Sequence, residues 1–151
     1  MAYATLAELK TRVGDDVYAQ LSDLSGGGIA DDVVGQARLD DAHGLVNMKL
    51  AGRYKTPVDT SDTTVANALR AMTCAVAYSL LLENNVASTA RVSEGKAAEM
   101  KRWLDLLEEI YKGKGALPGE AALAGPVSSG SPAIVVGSPR VFGGDSLSGL
   151  N

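Results

Sequence analysis

The sequence is short of the residues from which most sites are built: it has one cysteine, one histidine, one tryptophan and one phenylalanine in 151 residues. Each shortage excludes something. A single thiol, Cys74, forms no internal disulfide, and its place in an apolar run predicts a buried, inert side chain. One cysteine and one histidine do not supply the three or four ligands of a zinc site. No serine stands in a strained nucleophile turn that His43 could serve, so His43 reads as a surface or interface residue. Positive charge is also scarce, with 14 Lys and Arg against 18 Asp and Glu and a net charge of -4. Such a chain lacks the electrostatic footprint that grips phosphates, and direct binding of DNA or RNA is disfavoured. The longest apolar stretch, Ala71 to Leu82, is broken by Thr73, Tyr78 and Ser79 and falls short of the roughly 20 residues of a membrane span. Met1 to Thr5 has no basic segment leading into an apolar one, so no secretory leader is expected. These readings together predict a soluble protein made in a cytoplasm.

The acidic and glycine-rich positions that remain do not converge on chemistry. Asp31-Asp32 and Asp40-Asp41 are adjacent pairs, and neighbours on a helix point about 100° apart, too far to share a metal or a proton. Gly26-Gly27-Gly28 precedes a helix, but no Lys-Ser/Thr follows it and the next polar residues are acidic, so it is no phosphate cradle. Asp23-x-Ser25-x-Gly27-Gly28-Ile29 has the outline of a calcium loop without its second and third acids, and Val34 stands where the bidentate glutamate belongs. The inventory therefore predicts no enzyme, no metal and no cofactor.

What the sequence has in quantity is hydrophobic residues, 46% of the chain, arranged at helical spacing. Thr5-Leu6-Ala7-Glu8 has the spacing of a capping box and should open a short helix to about Val13. Gly14 stops it, and Asp15 or Asp16 is expected to cap a second short helix through Val17, Tyr18, Leu21 and Leu24. Asp31 or Asp32 opens a long helix to about Ala51, with Val34, Ala37, Leu45 and Met48 as its apolar stripe; Gly44 inside it suggests close approach by a neighbour. Residues 53–61, with Pro57, read as a connection. Thr60, Ser61 or Asp62 caps the next helix, whose Val65, Leu69, Met72, Val76 and Leu80 are joined by apolar residues on the other sides. A helix apolar nearly all round belongs at the centre of a bundle, or against both its own domain and a neighbouring subunit. Asn84-Asn85 ends it. A last helix from about Ser93 to Lys112 should bury Ala97, Met100, Trp103, Leu104, Leu107, Ile110 and Tyr111.

From Gly113 the composition turns to Gly, Pro, Ser and Ala without helical period. The short apolar pieces Ala133 to Val136 and Arg140-Val141-Phe142 are too few for a core and call for a partner surface. The expected architecture is all-α: a small bundle of two short and three long helices in residues 1–113. Residues 114–151 form an extended C-terminal arm able to make a short β-hairpin.

Several segments, in order, resemble the small head–tail connector (neck adaptor) proteins of Mu-like phages and prophages. The opening Met1-Ala2-Tyr3-Ala4-Thr5-Leu6-Ala7-Glu8-Leu9 is similar to the family's usual start. Ala51-Gly52-Arg53-Tyr54-Lys55-Thr56-Pro57-Val58 resembles its joint between two long helices. Ser138-Pro139-Arg140-Val141-Phe142, continuing through Asp145, Leu147 and Gly149-Leu150, looks like its closing motif. The resemblance implies a structural virion protein of the phage neck, a homo-oligomeric ring of twelve copies between the portal protein and a tail-side neck or tail terminator protein. DNA would pass through the lumen unbound. Arg53, Tyr54, Arg140, Val141, Phe142, Leu147 and Leu150 are then the expected interface residues. The alternative from composition alone is a small acidic helical module that engages a basic partner.

Overall fold

The computed structural model describes residues 2–119, and within them the chain is helical with no strand. Five helices follow one another: α1 (Leu6–Val13), α2 (Asp15–Ser22), α3 (Asp32–Leu50), α4 (Thr63–Asn84) and α5 (Glu94–Tyr111). The all-α bundle of two short and three long helices is thus the observed fold. Residues 120–151, with the expected hairpin and the residues Arg140, Val141, Phe142, Leu147 and Leu150, lie outside the described residues.

Local chemistry explains the helix starts. At α1 the capping box is complete: the Thr5 hydroxyl accepts from the Glu8 N–H, and the Glu8 carboxylate accepts from the Thr5 N–H at 2.7 Å. Asp31 caps α3 by accepting from the Val33 and Val34 amides, and Asp62 caps α4 by accepting from those of Thr64 and Val65. The start of α2 departs from expectation. Its N-cap is Gly14, at φ 97°, with no side-chain cap, while Asp15 and Asp16 sit in the first turn, where the helix dipole favours them. Leu24 falls outside α2, which ends at Ser22, and is 61% exposed.

α4 is the centre of the molecule, packed against each of the other four helices. Twelve of its 22 residues are buried, including the unbroken run from Ala71 to Tyr78. By length and composition it is the one helix among the described residues apolar enough to cross a membrane, a property the broken run Ala71 to Leu82 does not reveal. Two-thirds of its most apolar window is covered by the other helices, as befits the core helix of a bundle.

α3 presents a different face from the expected one. Gly35, Leu39, Ala42, Val46 and Leu50 are buried, whereas Ala37 and Met48 are exposed and Val34 and Leu45 only border the core. The two stripes lie one residue, about 100°, apart. Apolar residues surround this helix on several sides, so periodicity alone does not select the buried one. Tertiary contact selects it at Gly35, where a Cβ would stand 1.9 Å from the Tyr18 hydroxyl oxygen. The close approach expected at Gly44 is absent; nothing lies within 4 Å of a Cβ there. On α5, Met100, Leu107 and Ile110 are buried and Trp103 and Leu104 half-buried, but Ala97 and Tyr111 at the edges are exposed.

Candidate functional site

The chain has five tyrosines, and four of them are buried with the hydroxyl on a loop backbone. Tyr3 accepts from the Val58 N–H at 2.7 Å and donates to Asn47 Oδ1 at 2.6 Å, so one ring joins the N-terminus, the α3–α4 connection and α3. Tyr18 donates to the Asp31 carbonyl, with Asp32 Oδ1 at the same 3.3 Å, and holds the α2–α3 loop. Tyr78 accepts from Val92 N–H at 3.3 Å, tying the α4–α5 loop. Tyr54 accepts from Leu117 N–H at 2.8 Å and ties the chain that follows α5. A buried hydroxyl needs a partner, and so does a loop amide or carbonyl that points inward: Tyr3, Tyr54 and Tyr78 serve an amide and Tyr18 a carbonyl.

The Tyr54 pairing forms the root of the C-terminal segment. α3 ends at Leu50, whose carbonyl accepts from both Arg53 and Tyr54 N–H at 2.9 Å, a turn that swings both side chains toward the end of α5. Arg53 Nη1 donates to the Gly115 carbonyl at 2.5 Å. Leu117 is 1% exposed, inserted into the core cluster beyond the expected domain limit at residue 113. Gly119 then passes so close to the Asp62 carboxylate that a Cβ would meet it at 3.0 Å. Of the predicted interface residues, Arg53 and Tyr54 are thus brought together, inside their own subunit, as the clamp on this segment.

A second polar cluster closes the glycine-rich turn at the other end of α4. Asp23 Oδ1 accepts from the amide and hydroxyl of Ser25 and from Gly26 N–H, and Oδ2 accepts from Gly28 N–H. The Ser25 hydroxyl and these three amides hold the carboxyl down at about 2. In the calcium-loop outline the Asp23 carboxylate serves backbone amides, and among the described residues no group of three or more His, Cys, Asp or Glu is placed to hold a metal ion. Asn85, the C-cap of α4, donates from Nδ2 to the carbonyls of Gln20 and Asp23, joining this turn to the α4–α5 loop. Leu24, Ile29 and Val33 stand out from the same end, 61%, 77% and 80% exposed.

The two residues most open to a catalytic reading are built into the bundle. Cys74 is fully buried and burial pushes its thiol up to about 11. His43 packs against Tyr3 with ring centroids 4.6 Å apart and the planes tilted by 52°, and its Nε2 lies 3.0 Å from Asn47 Nδ2; burial lowers its pKa, against the opposing pull of Asp40. Ion pairs cross the surface between helices: Arg12 to Glu99 at 3.0 Å, Arg70 to Glu8 at 2.7 Å and Lys49 to Glu108.

Sequence reasoning singled out Arg53 and Tyr54 but not the shared role of Tyr3, Tyr18 and Tyr78, nor Leu117 and Gly35. One signal for the tyrosines was present. In a chain that is 5% aromatic, Tyr3 and Tyr54 fall outside the helical periods, whereas Tyr18 and Tyr78 lie inside α2 and α4 and read as ordinary core residues.

Residues 2–119 thus form a helical bundle whose buried tyrosines fasten its own loops and whose C-terminal segment is rooted by Arg53 and Tyr54. Its family is shown directly: residues 3–135 match the family described as Bacteriophage Mu, Gp36. The chain belongs to that family and is therefore a phage protein, made in a host cell and acting there or in the virion. The match spans the N-terminal opening and the Ala51 to Val58 joint, and it ends before the closing motif of residues 138–150. No curated protein matches the sequence.

Proposed function

We propose that this protein is a head–tail connector subunit, a structural component of the phage neck. Twelve copies form a ring between the portal protein and a tail-side neck or tail terminator protein, and DNA passes through without specific binding. Membership of the Mu Gp36 family supports a morphogenetic role. The observation that carries the finer reading is the clamp of Arg53 and Tyr54 on Gly115 and Leu117. It sets a fixed point on the bundle from which the remaining residues, 120–151, depart with Arg140, Val141, Phe142, Leu147 and Leu150 near their end. A tether anchored at its base raises the effective concentration of its tip at a neighbouring surface, and a tip that docks there resists shear better than one flat contact. The net charge of -4 supports a channel wall that DNA slides past.

The role is tested in phage assembly. Phe142→Ala, or a chain ended after Gly130, should give folded protein and full heads and tails that do not join. Normal virion yield from both variants would overturn the role of the C-terminal segment.

A further inference from the structure

The two ends of the bundle differ in a way that defines a docking surface and its occupant. Gly119 lies beside Asp62, the N-cap of α4, whereas the glycine-rich turn is held by Asn85, the C-cap of α4. The segment that follows Gly119 therefore leaves from one pole, and the exposed Leu24, Ile29 and Val33 occupy the opposite pole, about 33 Å away by the rise of a 22-residue helix. Leu24 and Ile29 line an open hollow together with Asp31 and Asp32. Apolar side chains this exposed, beside carboxylates, fit a peptide of mixed character that brings bulky apolar groups and a cation. Residues 140–142, Arg-Val-Phe, have that chemistry, and Arg140 is the only basic residue after Lys114. The 21 residues from Gly119 to Arg140 span at most about 70 Å when extended. That reach covers the length of the bundle and the step to a neighbour.

We propose that the pole formed by Leu24, Ile29 and Val33 receives Arg140-Val141-Phe142 from a second copy of this chain. Phe142 and Val141 pack on the three exposed side chains, and the Arg140 guanidinium faces the solvent edge of Asp31 and Asp32, whose carboxylates also cap α3 and pair with Lys10. The donor segment is rooted at one pole and the acceptor lies at the other, so a contact between two copies is heterologous: it leaves a donor unused on one copy and an acceptor unused on the other. Such a contact propagates and closes into a ring when the rotation allows. The inference deepens the connector reading, on which it rests for the ring, by naming the surface each copy offers the next.

The test mixes two full-length variants. One carries Ile29→Asp with Val33→Asp, both on exposed positions; the other carries Val141→Asp with Phe142→Asp. Circular dichroism checks that each keeps the helical content of the wild type. Sedimentation at high protein concentration should show self-association of the wild type and at least tenfold weaker association of either variant alone. An equimolar mixture should form a 1:1 dimer and nothing larger, because only one intact donor meets one intact acceptor. A monomeric mixture, a monomeric wild type, or variants that associate like the wild type would each overturn the proposal. Head-to-tail joining is read separately. Pole variants that stay monomeric when mixed but still join heads to tails leave the connector role standing without this contact. A dimer in the mixture with joining indifferent to both variants keeps the contact and removes the connector role.

Discussion

Single atoms decide the fit at Gly35 and Tyr54. A methyl group at residue 35 would lie 1.9 Å from the Tyr18 hydroxyl oxygen and 2.7 Å from Cζ, so the ring must leave its place between α2 and α3. Displacing it also takes the Tyr18 hydroxyl away from the Asp31 carbonyl, which keeps the Gly35 N–H at 3.0 Å. Gly35→Ala should therefore destabilise the protein by about 1–3 kcal/mol despite the better helix propensity of alanine, as measured by urea unfolding. A Gly44→Ala control, with open space around the new methyl, should be neutral or stabilising by up to about 1 kcal/mol. Tyr54→Phe keeps the ring and removes the acceptor of the buried Leu117 N–H. The expected cost is about 1–3 kcal/mol, concentrated at the root. Trypsin cleavage after Lys112 and Lys114 should accelerate well before global unfolding does, and an unchanged cleavage rate would show that the hydroxyl does not hold the segment.

At the scale of the element, α4 shows how strongly one helix governs the bundle. Leu69, Met72, Cys74, Ala75, Ala77 and Leu81 are all 0% exposed, so no side of its middle turns reaches water. Cys74 is consequently a reporter of opening. With the thiol enclosed and its pKa pushed up to about 11, it should react with a thiol reagent only through unfolding. Labelling should be slow in buffer and rise with denaturant in step with loss of helical signal. Fast labelling under native conditions would mean that α4 is exposed by local motion. α3 shows the complement. Its apolar residues do not define one side, and its orientation follows from the partners that meet it, with Tyr18 at Gly35 and Tyr3 at Asn47.

For the whole molecule, the shifted groups define a plateau of stability. His43 is lowered by burial, so the unfolded chain binds its proton more readily, and stability falls as pH drops below about 6.5. The carboxyls of Asp23, held by the Ser25 hydroxyl, Asp32, held by Lys10, and Glu108, held by Lys49, are lowered too. Their contributions are full above the ordinary carboxylate range and are lost as pH falls through and below about 4, for Asp23 down to about 2. Cys74 and Tyr18 are raised, to about 11 and about 12, so the folded chain keeps their protons longer and stability falls as pH rises past about 9–10. The midpoint of thermal unfolding should thus be flat from about pH 7 to 9 and decline on both sides. His43→Gln should flatten the slope between pH 5 and 7 and leave the alkaline limb unchanged.

Much of this protein is written in local chemistry. The capping box at Thr5, the aspartates before α3 and α4, the stop at Asn84-Asn85 and the near-continuous apolar surface of α4 each depend on residues a few positions apart. Helix number, order and the centrality of α4 were legible for that reason. Which side of α3 turns inward, the seat of Leu117 beyond the last helix, and the use of Tyr3, Tyr18, Tyr54 and Tyr78 as fasteners were decided only by the fold. They depend on groups between 13 and 63 residues apart in sequence meeting in space. Periodicity records the shape of a surface but not which neighbour will cover it, and a hydroxyl finds its amide only once the helices have packed.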